Sequence, residues 1–340
     1  MLYLKKSNAI LARIDDHWSL SWIASEKIGF EIKDFGEFLK ERIFSENRRD
    51  CKTLLARMGL VDYNVYEIAK RTRTFSLSDK LWISYSETED YETTFKAVFQ
   101  ELYNNKINQK GDSISSPSGQ NEKRYIFNSD GSFGIAKKRL HPFSDDTQNE
   151  VLVYRIAKKS GVNCCYAEMI PEEAVFSKYE FDLNKHYLVP ARYILDGRNI
   201  DCNTYEDLIF GKLKDFQDDV NRMLILDFLT LQEDRHLSNW AFQFNGKTIM
   251  YPIFDNGRSL FYEADEKTAQ QILADPKKGA PAVGLVGNYY DLIQIMKKHF
   301  DLSRLVNVNI DITDCFEGLG HADWKVEAIK KWLEWSRREL

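Results

Sequence analysis

The chain has 340 residues, 43% hydrophobic and 29% charged, which suits a soluble globular protein: one large enzyme or two ordinary domains. A net charge of −5 gives no general reason to expect nucleic acid as a partner, and no apolar stretch approaches the ~20 residues that a membrane span needs. Five cysteines without a CxxC indicate neither a disulfide framework nor a zinc site. Charges interrupt the opening MLYLKKSNAILARIDDHW too early for a secretory signal, so a reduced, cytoplasmic protein is expected unless it is a delivered effector.

Residues 1–103 read as a small α+β unit. Leu2, Leu4, Ile10, Leu11 and Ile14 suggest short strands, while Phe35, Phe38, Leu39 and Ile43 recur at helical spacing. Leu54, Leu55 and Met58 repeat that spacing before Gly59, and a strand is expected around Trp82. Residues 104–123 (NNKINQKGDSISSPSGQNEK) are poor in apolar side chains and read as a mobile loop or linker. RYIFNSDGSFGIAKKRL then predicts a β-hairpin about Asn128-Ser129-Asp130-Gly131. A helix is expected from about Gln148 to Lys159, stopped by Gly161. The adjacent Cys164 and Cys165 fit a buried strand edge, and HYLVPARYI (186–194) reads as a β-rich run.

A long helix over about Asp218–Gln232 is apolar on almost every side and should lie at the centre of a lobe. NWAFQF and TIMYPIFD predict two strands about Asn245-Gly246. The C-terminal part is helical, with Trp324, Ala328, Trp332 and Trp335 roughly on one side of its last helix.

The chemistry concentrates in QEDRHLSNWAF (232–242) and YPIFDNG (251–257). Phosphoryl transfer from ATP needs a carboxylate near the attacking hydroxyl, oxygen ligands for magnesium and a cation on the phosphates. Asp234 and, five residues on, Asn239 supply a base and an amide metal ligand from one loop. Asp255 ends a hydrophobic strand where Asn256-Gly257 permits a sharp turn, which brings a second carboxylate to the metal. Each piece alone fits an ordinary cap or turn; the joint order of buried helix, D-R-H-x-x-N, hairpin and D-N-G points to kinase chemistry.

From about Ser113 to Leu340 the chain resembles the HipA-like serine/threonine kinases, whose fold is similar to that of the protein kinases and phosphoinositide kinases. The resemblance rests on Glu233-Asp234-Arg235-His236-Leu237-Ser238-Asn239 and Phe254-Asp255-Asn256-Gly257. It implies Asp234 as catalytic base, Asn239 and Asp255 as Mg2+ ligands, and His236 as part of the loop's frame on the nucleotide side. Ser116-Pro117-Ser118-Gly119-Gln120-Asn121-Glu122-Lys123 fits the family's phosphate-covering loop, although Pro117 removes one backbone donor. Ser116, Ser118, Gly119 and Lys123 would then hold ATP phosphates.

The phosphate lysine should come from SFGIAKKRL, as Lys137 or, alternatively, Lys138; alternation sends the two to opposite faces. Glu150 matches the acid that would pair with that lysine, and Ala191, Arg192 and Tyr193 match the adenine hinge. The implied fold is α+β: a bilobal protein-kinase-like core with a β-rich N-lobe (124–195) and a helical C-lobe (196–340), preceded by the small α+β unit. The implied activity is ATP- and magnesium-dependent phosphorylation of a protein Ser/Thr hydroxyl, with an antitoxin or regulatory protein as partner. Ser116 is the expected inhibitory autophosphorylation site, with Ser118 or Ser115 as second choice. Two other readings stand beside this one: a small-molecule phosphotransferase, and a catalytically silent nucleotide-binding protein that interacts through its first hundred residues.

Overall fold

The structure is a computed structural model that describes residues 1–25, 28, 31–48, 50–75, 79–95, 121–127, 133–171, 174–180, 187–278 and 289–340. The chain divides into two compact units: Met1–Leu140 with Phe181–Tyr187, and His141–Glu180 with Leu188–Leu340. Ser116, Ser118 and Gly119 lie outside the described residues, as does the expected turn at 128–131.

In the first unit, β1 (Leu2–Lys6), β2 (Ala9–Ile14), β3 (Leu20–Trp22) and β4 (Leu81–Ser84) form an antiparallel sheet in the order β3-β2-β1-β4. Leu4 stands opposite Ala12 on one side and Ile83 on the other, and all three are buried. Helices α1 (Phe35–Lys40), α2 (Cys51–Arg57) and α3 (Val65–Thr72) complete a core that includes Leu11, Phe38, Leu39, Leu55 and Ile68. The Asn64 side chain accepts from the amides of Tyr66 and Glu67, which starts α3. Lys5 is buried but donates to the carbonyls of Glu87 (2.9 Å) and Glu89 (2.6 Å), so its ammonium is not left unsatisfied. The same unit holds β5 (Lys123–Phe127) and β6 (Phe133–Lys138), the hairpin expected from the sequence.

The second unit begins with α4 (Asp146–Ser160), closed by Gly161 at φ 74°, a left-handed position that glycine takes without steric cost. The antiparallel pair β7 (Ala167–Ile170) and β8 (Ala174–Lys178) follows. Next come β9 (Tyr187–Pro190), α5 (Ala191–Ile194), α6 (Tyr205–Phe210) and α7 (Gln217–Leu229). β10 (Ala241–Asn245) and β11 (Lys247–Met250) turn at Gly246, and the sheet order is β11-β10-β9. Helices α8 (Glu266–Ala274), α9 (Tyr289–Met296) and α10 (Asp323–Arg338) finish the unit. As its composition predicts, α7 is buried on most faces, and the burial includes Asp227.

One expectation needs correction. HYLVPARYI is extended only to Pro190; Ala191, Arg192 and Tyr193 form the turn of α5. The amides of Ala191 and Arg192 donate to the carbonyls of Trp240 (3.1 Å) and Leu237 (3.1 Å), which stops the strand. Similarly, TIMYPIFD is a strand only to Met250, after which Ile253 forms an isolated parallel bridge with Cys164.

Candidate active site

Asp234, Asn239 and Asp255 all lie in the second unit, on the segments that follow α7 and β11. After α7 the chain turns through Leu231 at φ 47°, and the loop then folds on its own backbone. The Asp234 carbonyl accepts from His236 N (2.9 Å) and Asn239 Nδ2 (2.8 Å), and Asn239 N donates to the His236 carbonyl (2.8 Å). With Nδ2 turned to the Asp234 carbonyl, the amide oxygen Oδ1 is the atom of Asn239 able to meet a cation. His236 Nδ1 accepts from Ser238 N (3.2 Å), which puts the proton of a neutral ring on Nε2, 3.9 Å from Asp234 Oδ1. The His236 ring thus turns back onto its own loop.

Arg235 joins these parts. Its side chain and that of Asp227 are each 1% exposed, and its Nε and Nη2 both donate to the Asp227 carboxylate. Nη1 donates to the carbonyls of Asn239 and Phe254, both at 2.7 Å, and Nη2 also reaches Asn256 Oδ1 at 2.6 Å. One planar guanidinium thus ties α7 and the 234–239 loop to the D-N-G turn, a task its rigid fork suits better than an ammonium would. Although burial works against its charge, Asp227 holds the Arg235 proton above the usual range. Asn256 Nδ2 in turn donates to Cys164 Sγ (3.3 Å), and the thiol is held well above its ordinary pKa by burial.

Asp255 itself sits at φ 57°, a left-handed conformation that Asp and Asn tolerate better than most side chains. Gly257 is required for a different reason: a Cβ there would lie 2.7 Å from the Asp146 carbonyl. The turn that bears Asp255 therefore packs directly on the start of α4.

Burial raises the Asp234 pKa, and the nearby Asp255 carboxylate adds to the rise, while Arg258, His236 and Arg235 oppose it. Arg258 Nη1 stands 3.6 Å from Asp234 Oδ2. Glu233, the residue before Asp234, is pushed up to about 7 by burial and by Glu263, with Arg258 pulling the other way. Sequence reasoning assigned no role to Asp227 or Arg258, and took Glu233 and Asn256 only as parts of the matched motifs, Asn256 also as a turn residue. The clue to Asp227 was a lone acid inside an otherwise apolar stretch of helix.

The oxygen-only set of Asn239 and Asp255 fits magnesium, a hard ion that completes its shell with water and phosphate oxygens. Among the described residues no group of three or more His, Cys, Asp and Glu could hold a metal without such help. Glu150 is buried in α4 of the second unit; Lys137 is buried on β6 of the first. Lys138 is the outward lysine: its side chain is 41% exposed and pairs with Glu122 at 2.9 Å. Lys123 stands directly opposite Lys137 in the hairpin register.

Fold and site together define a class: a mixed α/β protein similar in fold to the HipA-like kinases. The proinflammatory kinase CtkA of Helicobacter pylori superposes with a TM-score of 0.56 at 18% identity, over 69% of this chain and 92% of that one. A chain from the Shewanella oneidensis MR-1 complex of HipA, HipB and operator DNA, a toxin–antitoxin system, gives 0.54 at 12% identity, over 99% and 97%. No protein-family model and no curated protein matches the sequence.

Proposed function

We propose that the chain is an ATP- and magnesium-dependent serine/threonine protein kinase of the HipA-like type, with a bilobal core behind a small α+β unit. The observation that supports this best is the Arg235 hub, which holds the Asp234–Asn239 loop and the Asp255 turn in one rigid piece. In this reading Asp234 accepts the proton of a Ser/Thr hydroxyl. Its raised pKa brings its basicity closer to that task, while Arg258 keeps the carboxylate near the surface of the site charged. Asn239 Oδ1 and Asp255 would hold magnesium, whose charge, when bound, offsets that on the transferring phosphoryl group. Lys123 and Lys137 stand at directly opposed positions of β5 and β6, and in this reading both serve the phosphates of ATP. Lys137, being buried, is the better phosphate lysine of the adjacent pair. Ala191 and Arg192 have their amides engaged, which withholds those two donors from an adenine.

Ser116 remains our proposed autophosphorylation site, its phosphate competing with ATP for the same donors and so inhibiting the enzyme. An antitoxin-type protein is the proposed partner, by analogy with the HipB-containing complex. The test is incubation of the pure protein with ATP and magnesium, followed by intact-mass and peptide mass spectrometry. We expect added phosphate in the wild type, on the 104–123 segment, and none in Asp234→Ala, which should still bind ATP. Asp234→Ala turnover within about tenfold of wild type would refute the base assignment, since losing a positioned base costs ~100-fold or more.

A further inference from the structure

Helix α4 carries Glu150 and packs on the metal-binding turn, yet most of its polar anchors come from far along the chain. At its start, Asp145 pairs with Lys325 of α10 at 2.5 Å, and the Lys325 side chain is only 3% exposed. His321 Nε2 and Asn149 Oδ1 are 2.9 Å apart. Because Asn149 Nδ2 already donates to the Ser259 carbonyl (2.6 Å), its Oδ1 accepts from the histidine. Further along, Arg155 Nη1 donates to the carbonyls of Cys315 (2.8 Å) and Glu317 (2.7 Å). Lys159 reaches the Asp311 carbonyl (2.7 Å) and the Asp314 carboxylate, and Asn307 N caps the Ser160 carbonyl at 3.0 Å. The start, the middle and the end of α4 are thus tied to residues 307–325. Beyond them, Trp332 Nε1 donates to the carbonyls of Phe228 and Leu229, where α7 ends and the 234–239 loop begins.

We infer that residues 307–325 form a strap that fixes α4 to the Asp255 turn, with Lys325 and His321 as positioning residues for phosphoryl transfer. The physical argument is geometric. Asn149 touches both the strap and Ser259, and Asp146 touches Gly257, so α4 cannot tilt without moving the turn that bears Asp255. A helix held along its length at polar points has one position, not two. An enzyme built this way keeps its metal turn and Glu150 assembled before substrate arrives, which preserves the near-attack geometry on which rate depends. The assignment of a reaction rests on the kinase reading; the mechanical coupling does not.

The experiment uses the full chain with Lys325→Met, Lys325→Arg and the milder His321→Gln, which keeps a donor. Hydrogen exchange is followed in the 145–152 and 253–260 segments, where Asn149 N (to Asp145 O), Ile253 N (to Asn163 O) and Leu260 N (to Thr230 O) are reporter amides. Lys325→Met should speed exchange by ~10-fold or more in both segments together, and Lys325→Arg should restore most of the protection. In parallel, kcat should fall by ~10-fold or more while KM for the protein substrate stays within twofold, the signature of lost positioning. If Lys325→Met does not fold, His321→Gln should show the same paired loosening at smaller amplitude. Faster exchange in 145–152 alone, with 253–260 unchanged, would overturn the coupling. A wild type that transfers no phosphate to any acceptor would sink the kinase reading, while the exchange result still decides the strap.

Discussion

Replacing Arg235 by Met tests the hub directly. The substitution keeps an unbranched apolar stem but removes the guanidinium and with it all the donors that meet Asp227, Asn239, Phe254 and Asn256. With both Arg235 and Asp227 at 1% exposure, the aspartate left behind is a buried charge with no counter-charge and only the Tyr289 hydroxyl, at 3.4 Å, as donor, a situation that costs roughly 3–5 kcal/mol. Asp227 can escape part of this by taking up a proton, since burial already pushes its pKa upward. The loss should therefore lie near the lower figure at acidic pH and grow as pH rises, because the unfolded aspartate ionises freely while the folded one does not. Against a typical total of ~5–15 kcal/mol, a loss of about 4 at pH 7.5 is a large fraction of the stability of the second unit. Urea titration read by tryptophan fluorescence measures it. Adding Asp227→Leu to Arg235→Met should return part of the loss, since no bare charge remains. A loss below about 1 kcal/mol, or a double variant no more stable than the single, would refute the hub as described.

Other outcomes follow from the site. Asp255→Asn fits the same left-handed backbone but lowers the ligand charge, so its activity should recover partly at high magnesium or with manganese; a variant indifferent to metal concentration would place the metal elsewhere. Gly257→Ala forces a Cβ against the Asp146 carbonyl and should cost activity ~10-fold or more with ATP binding less affected, measured by steady-state kinetics and calorimetry. Glu233, with its pKa raised from 4.5 to about 7, binds its proton more tightly folded than unfolded. Its contribution to stability is thus full below about 4.5 and is lost as pH rises through about 7, so the wild type should lose stability across that window while Glu233→Gln is flatter, by urea midpoints at pH 5 and 7.5.

The residues of the proposed chemistry stand out in the sequence because they are local: Asp234, Asn239 and Asp255 fall within 22 residues, on one loop and the end of one hairpin. Helix α7 was legible from its apolar composition, and the stop of α4 from Gly161. What escaped was whatever depends on distant main chain. The strap contacts α4 partly through carbonyls, which every residue possesses, and partly through side-chain pairs as far apart as the 180 residues between Asp145 and Lys325, so no local pattern announces it. The run HYLVPARYI misled because its apolar, β-rich composition fits a strand, whereas hydrogen bonds from Ala191 and Arg192 to the carbonyls of Trp240 and Leu237 decide otherwise. Asp227 was hidden by its neighbours: in a helix buried all round, an acid looks like an exception until its arginine is seen.

Leu231, Leu260 and Phe261 share the left-handed backbone of Asp255, at φ 47°, 53° and 62°, and all three are at least 98% buried. Such a conformation costs an ordinary side chain roughly 1–2 kcal/mol. Glycine would relieve that cost and empty the core, at ~2–5 kcal/mol for a leucine-sized void. A β-branched residue would fill the core and refuse the backbone. These positions are closed from both sides, so a mutational scan should find the stretch around the site intolerant even where no chemistry is done. Intolerance at Leu231, Leu260 and Phe261 would then mark the scaffold's geometry, and only intolerance that survives an isosteric, backbone-compatible exchange, such as Asp255→Asn, would mark the reaction.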